Sequence, residues 1–223
     1  MNINNKKNVP FKLTNILIGI LFTLFFISLS VIIILNTRSL YYNSIDRLEL
    51  EQYSGLERET IIENYDALID YCSPFYQGEL KFPSLASSES GTSHFAETKV
   101  IFVSFYYIAA LTGALLLFII LYKKKRHDTS YLRTSAITVI VLPSIIGIAT
   151  ALNFEKTFLL FHKLVFRNDD WLFDPTTDPI INLLPEEFFM YCAIGIVSLV
   201  LVGSIILFLI DYFVRRKQSK NCI

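Results

Sequence analysis

The chain has 223 residues, of which 53% are hydrophobic and only 18% are charged, and its mean hydropathy is +0.48. Soluble domains carry about 25% charged residues, so this composition argues against a soluble protein. The 20 basic and 20 acidic residues cancel, which excludes a strongly basic nucleic-acid-binding protein and an acidic disordered tail.

Four long runs contain no charged residue, and they define the predicted membrane-spanning elements. A bilayer core about 30 Å thick requires roughly 20 helical residues, and each run is at least that long. Because backbone amides in lipid must form hydrogen bonds within their own segment, each run is expected to be a helix. The sequence therefore predicts an all-α integral membrane protein with four transmembrane helices, at about 13–37, 100–122, 134–154 and 188–210. Pro143 is expected to kink the third helix.

Lysine and arginine are concentrated in three of the five segments that flank the predicted helices. Residues 1–12, 123–133 and 211–223 together contain 12 of the 20 basic residues. The other two segments, 38–99 and 155–187, are richer in acidic residues. Because cytoplasmic segments carry the excess of basic residues, both termini are predicted to be cytoplasmic and the two acidic segments to lie outside. The first helix is predicted to be an uncleaved anchor, since no cleavage site follows it.

The first outer segment contains one predicted helix and one predicted mobile loop. Ser54-Gly-Leu-Glu57 matches a capping box and predicts a helix that continues to about Tyr71. The apolar face of this helix is expected to pack against the rest of the outer segment. The alternative is that it lies at the lipid interface and shapes an acyl-chain groove. The serine-rich stretch 84–93 predicts a mobile loop that ends directly before His94.

The second outer segment begins with an aromatic amphipathic pattern that includes His162. Its apolar residues recur at helical spacing, which indicates a helix lying in the membrane interface. These residues are Phe154, Phe158, Phe161 and Val165.

Two prolines further along the chain mark predicted helix starts. Asp178, directly before Pro179, is expected to cap a short helix. Pro185 is expected to open the fourth transmembrane helix, where Glu186 and Glu187 are favoured by the positive N-terminus. Capping therefore explains these three carboxylates without a catalytic role.

The three histidines differ in their expected surroundings. His127 belongs to a lysine-rich cytoplasmic link and is expected to be a surface residue. His94 and His162 lie in separate outer segments, yet both are predicted at the depth of the lipid headgroups. Imidazoles exchange protons near neutral pH, so this pair is a candidate for general acid–base catalysis. Two histidines with nearby carboxylates can also bind zinc. The sequence contains no nucleotide-binding motif.

A specific block of sequence surrounds and follows the second histidine. It consists of Phe161-His-Lys-Leu-Val-Phe166, then Trp-Leu-Phe-Asp-Pro, then Asp-Pro-Ile-Ile-Asn-Leu-Leu-Pro-Glu-Glu-Phe-Phe189. With this block the chain resembles the lipoprotein intramolecular transacylases (Lit) of Gram-positive bacteria, over essentially its whole length in topology and segment order. The family also has a histidine shortly ahead of the second span, which His94 in Ser-His-Phe-Ala-Glu-Thr-Lys matches.

The resemblance implies a multi-pass enzyme of the bacterial cell membrane with its active site at the outer leaflet. Its substrate would be a diacylated lipoprotein embedded in membrane lipid. The enzyme would move the sn-2 acyl chain to the α-amino group of the N-terminal cysteine, giving lyso-form lipoprotein. His94 and His162 would be the catalytic residues, without a cofactor or a metal. Four charged residues that follow the second histidine are candidates for supporting roles: Lys163, Arg167, Asp174 and Asp178.

The chemistry agrees with this implication, but two other classes of function stay open. Converting an ester into an amide is downhill, and an α-amine with a pKa of about 7.7–8.0 needs only a mild base. One alternative is another outer-face membrane hydrolase or a metalloenzyme, which would use His94, His162 and a carboxylate such as Asp174. Sensitivity to a chelator would distinguish the metalloenzyme. The other alternative is a non-catalytic four-span partner protein, in which both histidines are dispensable.

Overall fold

The computed structural model describes residues 12–220, apart from the side chains of Leu142 and Lys220. Lys6 and Lys7, which contribute to the predicted orientation, lie outside the described residues. Between residues 12 and 220 the regular secondary structure is helical throughout. Its elements are α1 (Leu13–Asn36), α2 (Arg38–Arg47), α3 (Leu50–Ser54), α4 (Arg58–Tyr71), α5 (Glu89–Lys125), α6 (Ser130–Leu152), α7 (Phe154–Val165), a 3₁₀ helix (Pro179–Leu183) and α8 (Glu186–Lys220).

Four of these helices, α1, α5, α6 and α8, are long and apolar enough to cross a membrane. Each contains one of the charge-free runs almost completely, so the predicted set of four long apolar helices is confirmed. α8 begins with Glu186 and Glu187 in its first turn, as expected. α6 continues through Pro143 without a break, and the kink there stays a prediction. α7 has the predicted extent, while its position at a membrane interface stays a prediction.

α5 begins much earlier than the sequence predicts, at residue 89 instead of about 100. The predicted mobile loop is therefore wrong for residues 89–93, which form the first helical turn. Ser88 explains the difference, because its hydroxyl oxygen accepts a hydrogen bond of 2.9 Å from the Gly91 N–H. That bond caps the helix with one serine of a stretch whose composition alone resembles a loop.

The predicted capping box at Ser54 and Glu57 is wrong in its details. Ser54 ends α3, where its hydroxyl donates to the Leu50 carbonyl at 2.6 Å. Gly55 follows in the left-handed region with a φ of 71°, and α4 begins at Arg58 without a side-chain cap. The serine closes the preceding helix instead of opening the next one, which spacing alone does not reveal.

The described chain divides into two compact units. One unit combines the residues up to Ser28 with Ile108–Ile146 and the residues from Val197 onward. Its core consists of apolar side chains of the four long helices, including Phe22, Leu116, Val139, Val200 and Leu207. A hydroxyl of α8 is satisfied within this unit, since Ser204 donates to the Ala136 carbonyl at 2.8 Å.

The other unit combines Leu29–Tyr107 with Gly147–Ile196 and contains both candidate histidines. At its centre Tyr41 stacks on Tyr65 with ring centroids 3.6 Å apart, and Phe188 packs edge-on against both rings. The predicted packing of the apolar face of α4 is confirmed. The buried residues of this face are Ile61, Tyr65, Leu68 and Ile69.

Candidate active site

His94 and His162, far apart in the sequence, lie side by side in the second of these units. Their ring centroids are 6.0 Å apart, and the ring planes are inclined by 32°. His94 lies near the start of α5 and His162 near the end of α7. Both side chains are buried, with exposed fractions of 7% and 9%. His127, in contrast, is exposed in the link between α5 and α6, as expected.

Aromatic side chains enclose the two imidazoles. Phe166 contacts both rings, with centroid distances of 4.5 Å to His94 and 5.5 Å to His162. Phe95 and Phe173 also pack against the first ring, and Phe158, Phe161 and Trp171 against the second. Because burial in such surroundings penalises a charge, the site favours neutral imidazole over imidazolium.

The backbone of α7 determines which nitrogen of His162 carries the proton. Its Nδ1 lies 2.8 Å from the Phe158 carbonyl oxygen, which can only accept a hydrogen bond. In the neutral ring Nδ1 is therefore the donor, and Nε2 carries the free lone pair. Burial lowers the pKa of His162, and the hydrogen bond to the Phe158 carbonyl opposes this shift only in part. His162 is thus a neutral ring with an acceptor nitrogen at pH 7.

In His94 the nitrogen with a hydrogen-bond partner is Nε2, and the nitrogen without one is Nδ1, the reverse of His162. The His94 Nε2 lies 3.5 Å from the hydroxyl oxygen of Thr98, one turn further along α5. Its Nδ1 is buried and has no hydrogen-bond partner among the described residues. Since a hydroxyl can donate to Nε2, this contact is compatible with an N–H at Nδ1. The ring therefore has one polar atom left for another group.

A carboxylate that the sequence analysis missed belongs to the same helix. Glu97 follows His94 by three residues, and its Oε1 accepts a 2.9 Å hydrogen bond from the Asn168 side-chain amide. Its Oε2 is buried without a partner among the described residues. Glu97 can be recognised as a neighbour of His94 only when both residues are known to lie in α5, which begins at Glu89. Residues three apart on a helix lie on neighbouring parts of one face.

Asp178 does not cap its own short helix, which corrects the predicted capping role. The 3₁₀ helix that follows it has no side-chain cap. Instead the carboxylate is buried and accepts hydrogen bonds from the Ser88 N–H at 2.7 Å, the Ser87 hydroxyl at 3.4 Å and the Thr177 hydroxyl at 2.7 Å. Burial by itself would raise the pKa of Asp178, but these hydrogen bonds outweigh it and hold the pKa below its usual value.

Gly91 provides the space that this carboxylate occupies. A Cβ atom at position 91 would overlap Asp178 Oδ1, and it would lie 2.9 Å from Cγ of the same side chain. It would also approach the Phe173 ring to 3.2 Å. Glycine therefore permits the close approach of α5 to the segment that carries Asp178, and a sequence without structure gives no sign of this requirement.

The other three candidate supporting residues are exposed. The side chains of Lys163 and Arg167 form no hydrogen bond or ion pair with the described residues. Asp174 accepts hydrogen bonds from the backbone N–H and hydroxyl of Thr176, at 2.8 and 2.7 Å. The hydrogen bond from the Thr176 N–H lowers the pKa of Asp174. Between residues 12 and 220, no group of three or more His, Cys, Asp and Glu side chains is arranged to hold a metal ion.

A family model and solved structures that match this chain both belong to the lipoprotein intramolecular transacylases. A family model described as lipoprotein intramolecular transacylase Lit matches residues 16–189. The in meso structure of the membrane-integral lipoprotein intramolecular transacylase Lit from Bacillus cereus superimposes with a TM-score of 0.88 at 36% identity, covering 93% of this chain and 98% of that one.

Two further solved structures are variants of the same Bacillus cereus protein in which one histidine is replaced, by arginine or by alanine. Each superimposes with a TM-score of 0.85 at 35% identity and covers more than nine-tenths of both chains. No curated protein sequence matches the chain.

Proposed function

The chain belongs to the lipoprotein intramolecular transacylase (Lit) family, and from this membership we propose the reaction that it catalyses. It is a multi-pass membrane acyltransferase. In the proposed reaction, the sn-2 acyl chain of a diacylglyceryl lipoprotein moves to the α-amino group of its N-terminal cysteine. The site lies at the outer leaflet of a bacterial cell membrane, with both termini of the enzyme in the cytoplasm.

The observation that carries this proposal is the buried pair of imidazoles, whose ring centroids are 6.0 Å apart. The reaction breaks one ester C–O bond and forms one amide C–N bond, with no change in oxidation state. One proton leaves the amine and one proton reaches the glycerol oxygen. Two adjacent groups that can donate and accept protons are sufficient for this exchange. Because donor and acceptor belong to one molecule, holding them in place supplies much of the rate.

We assign the base to His162. Its Nδ1 donates to the Phe158 carbonyl, which leaves Nε2 free to accept a proton from the attacking amine. The lowered pKa of His162 keeps it unprotonated at neutral pH. The imidazolium that forms then donates the same proton to the departing glycerol oxygen, so the base and the acid of the reaction are one ring. This returns the enzyme to its starting state after each transfer.

We assign to His94 the stabilisation of negative charge on the ester carbonyl oxygen. An N–H at its unpartnered Nδ1 is a hydrogen-bond donor in a site that aromatic rings shield from water. A donor placed where charge develops stabilises the transition state most effectively when water is excluded. His94 thus acts as a neutral donor, which agrees with surroundings that disfavour an imidazolium.

The proposal is tested by tandem mass spectrometry of lipoprotein N-terminal peptides. The chain is expressed in a bacterial host whose lipoproteins carry only the diacylglyceryl group. Intramolecular transfer leaves the intact mass of the peptide unchanged, so fragmentation must locate one acyl chain on the α-nitrogen and one on the glyceryl group. A peptide that loses the mass of one acyl chain would identify a hydrolase instead. Activity that EDTA abolishes and zinc restores would identify a metalloenzyme.

A further inference from the structure

Glu97 is a half-buried glutamate with one fully enclosed carboxylate oxygen, and the proposed acid–base step assigns it no role. Its Oε2 is enclosed by the protein and has no partner among the described residues, although its Oε1 accepts a hydrogen bond from Asn168. Buried polar atoms in native proteins are almost always satisfied, so one that is left over requires an explanation. Since Glu97 follows His94 by three residues on α5, the unsatisfied oxygen belongs to the same part of the helix as the proposed site.

The segment after α7, whose Asn168 donates a hydrogen bond to Glu97, also contacts one of the two imidazoles. The Asn168 side-chain oxygen accepts a hydrogen bond of 3.2 Å from the Asp170 N–H. The indole N–H of Trp171 donates to the Asn168 carbonyl at 2.9 Å, and the same Trp171 packs against His162 with centroids 5.0 Å apart. Asn168 is thus held by hydrogen bonds from Asp170 and Trp171. Because Asn168 in turn holds Oε1 of Glu97, Oε2 is the oxygen that remains available to bind another group.

We propose that Glu97 binds the α-ammonium group of the lipoprotein's N-terminal cysteine and so selects substrates whose N-terminus is free. This inference rests on the proposed function. An α-amine with a pKa of about 7.7–8.0 is mostly protonated at pH 7. The bound ammonium releases one proton to water before it attacks as the neutral amine, and His162 accepts the second proton. A cation that enters an apolar site needs an anionic partner, because burial of an unpaired charge is costly. The two neutral imidazoles do not supply a negative charge, whereas a carboxylate with a free oxygen does.

The neighbouring carboxylates are less suitable as partners for the amine. Asp178 already accepts hydrogen bonds from three groups. Asp174 is exposed and accepts two hydrogen bonds within its own turn. Asp170 is half-buried on the same segment as Asn168 and is the remaining alternative, so the experiment includes it.

The experiment compares two synthetic diacylated lipopeptides that differ only at the N-terminus. One has a free α-amine, and the other is N-acetylated and has no charge there. Dissociation constants are measured with the purified full-length enzyme in detergent at pH 7, and acyl transfer to the free amine is followed in parallel by tandem mass spectrometry. We expect wild type to bind the free-amine peptide about 10- to 100-fold more tightly, which corresponds to one hydrogen-bonded charge.

Glu97→Gln removes the charge and keeps an oxygen that accepts from Asn168. We expect this variant to bind both lipopeptides equally, with an unchanged dissociation constant for the N-acetylated one. Glu89→Gln is the matched control, because Glu89 is an exposed glutamate in the first turn of the same helix. It should retain the wild-type preference. Retention of that preference by Glu97→Gln would overturn the inference, as would its loss in Asp170→Asn alone.

The parallel readouts separate this inference from the function on which it rests. If wild-type enzyme binds the free-amine peptide without moving an acyl chain to its nitrogen, the proposed function fails. If wild type transfers the chain and Glu97→Gln discriminates as wild type does, only the role of Glu97 fails. If Glu97→Gln does not bind even the N-acetylated peptide, the same comparison is made with Glu97→Asp, which keeps the charge on a shorter side chain. A weakened preference for the amine then supports the inference, and an undiminished preference contradicts it.

Discussion

At the scale of single residues, the two buried imidazoles differ in the hydrogen bonds that they form. His162 has a carbonyl partner at Nδ1, and His94 has a hydroxyl contact at Nε2. We predict that His162→Ala, which removes the general base, reduces the rate of acyl transfer by roughly 10²–10⁴-fold. His94→Ala, which removes the oxyanion donor, should reduce it by roughly 10²–10³-fold. Because the two rings act in one step, the double variant should be little slower than either single variant. The measurement is the fraction of lipoprotein peptides that are N-acylated, determined by tandem mass spectrometry.

The exposed His127 provides the control for this comparison, since it lies outside the site. His127→Ala should convert lipoprotein at the wild-type rate. An immunoblot must show that each variant is present in the membrane fraction in an amount similar to that of wild type. If His94→Ala or His162→Ala remains close to wild type, that ring has a structural role and the proposed mechanism is wrong.

The pKa of His162 also predicts how stability depends on pH. Burial lowers this pKa below the ordinary histidine value of about 6.5, which applies to the unfolded chain. As the pH falls below about 6.5, the unfolded state binds a proton that the folded state still excludes, so acid favours unfolding. We expect the Tm of the purified enzyme to fall between pH 6.5 and 5. In His162→Gln, which cannot be protonated, this decrease should be smaller; an equal decrease in both proteins would contradict the assignment.

At the scale of elements, the N-terminal turn of α5 connects the two halves of the site. Ser88 caps the helix, and its N–H donates to Asp178, which lies in the segment after α7. Asp178 in turn occupies the space that the missing side chain of Gly91 leaves. The position of His94, one turn further along, therefore depends on a contact between segments that are far apart in the sequence.

Gly91→Ala should disturb this contact. The added Cβ would overlap the Asp178 carboxylate, which is buried and cannot move away without losing hydrogen bonds. Inserting a methyl group into a packed site costs about 1–3 kcal/mol. We expect a lower Tm and a lower rate of acyl transfer, both measured on purified enzyme in detergent.

The neighbouring Ser90→Ala is a suitable control, since Ser90 is exposed in the same turn. Its free energy of unfolding should stay within about 0.5 kcal/mol of wild type, as is usual for surface substitutions. Equal Tm values for Gly91→Ala and Ser90→Ala would show that the close approach to Asp178 does not require glycine.

The elements also illustrate where sequence patterns mislead. The serine-rich stretch 84–93 has the composition of a loop, and Ser54 has the spacing of a cap. In both cases a serine hydroxyl has a role that the pattern does not predict. Ser88 caps α5, which begins well before its predicted start, and Ser54 closes α3 instead of opening α4. Short polar side chains bond to whichever backbone group is nearest, so their role depends on the local conformation more than on composition.

At the scale of the whole molecule, the distribution of basic residues predicts the orientation in the membrane. Gln77 and Thr176 are exposed in the two segments predicted to lie outside, and Lys124 is exposed in the predicted cytoplasmic link. We expect Gln77→Cys and Thr176→Cys to react with a membrane-impermeant thiol reagent on intact cells. Lys124→Cys should react only after the membrane is permeabilised. The unsubstituted chain sets the background from its native cysteines, and labelling at position 124 from outside would reverse the proposed orientation.

The sequence by itself determined the four long apolar helices, because lipid leaves a backbone amide no partner except its own helix. It also determined the amphipathic α7, the exposed His127 and the family resemblance, since these depend on local periodicity, local charge and a contiguous block of residues. Only the tertiary structure decided that α5 begins at Glu89, that Asp178 binds the start of that helix, and that the imidazoles of His94 and His162 are 6.0 Å apart. It alone revealed Glu97 and Asn168. Each of these features depends on a contact between distant segments, whose distance and direction are fixed by packing and cannot be read from neighbours along the chain.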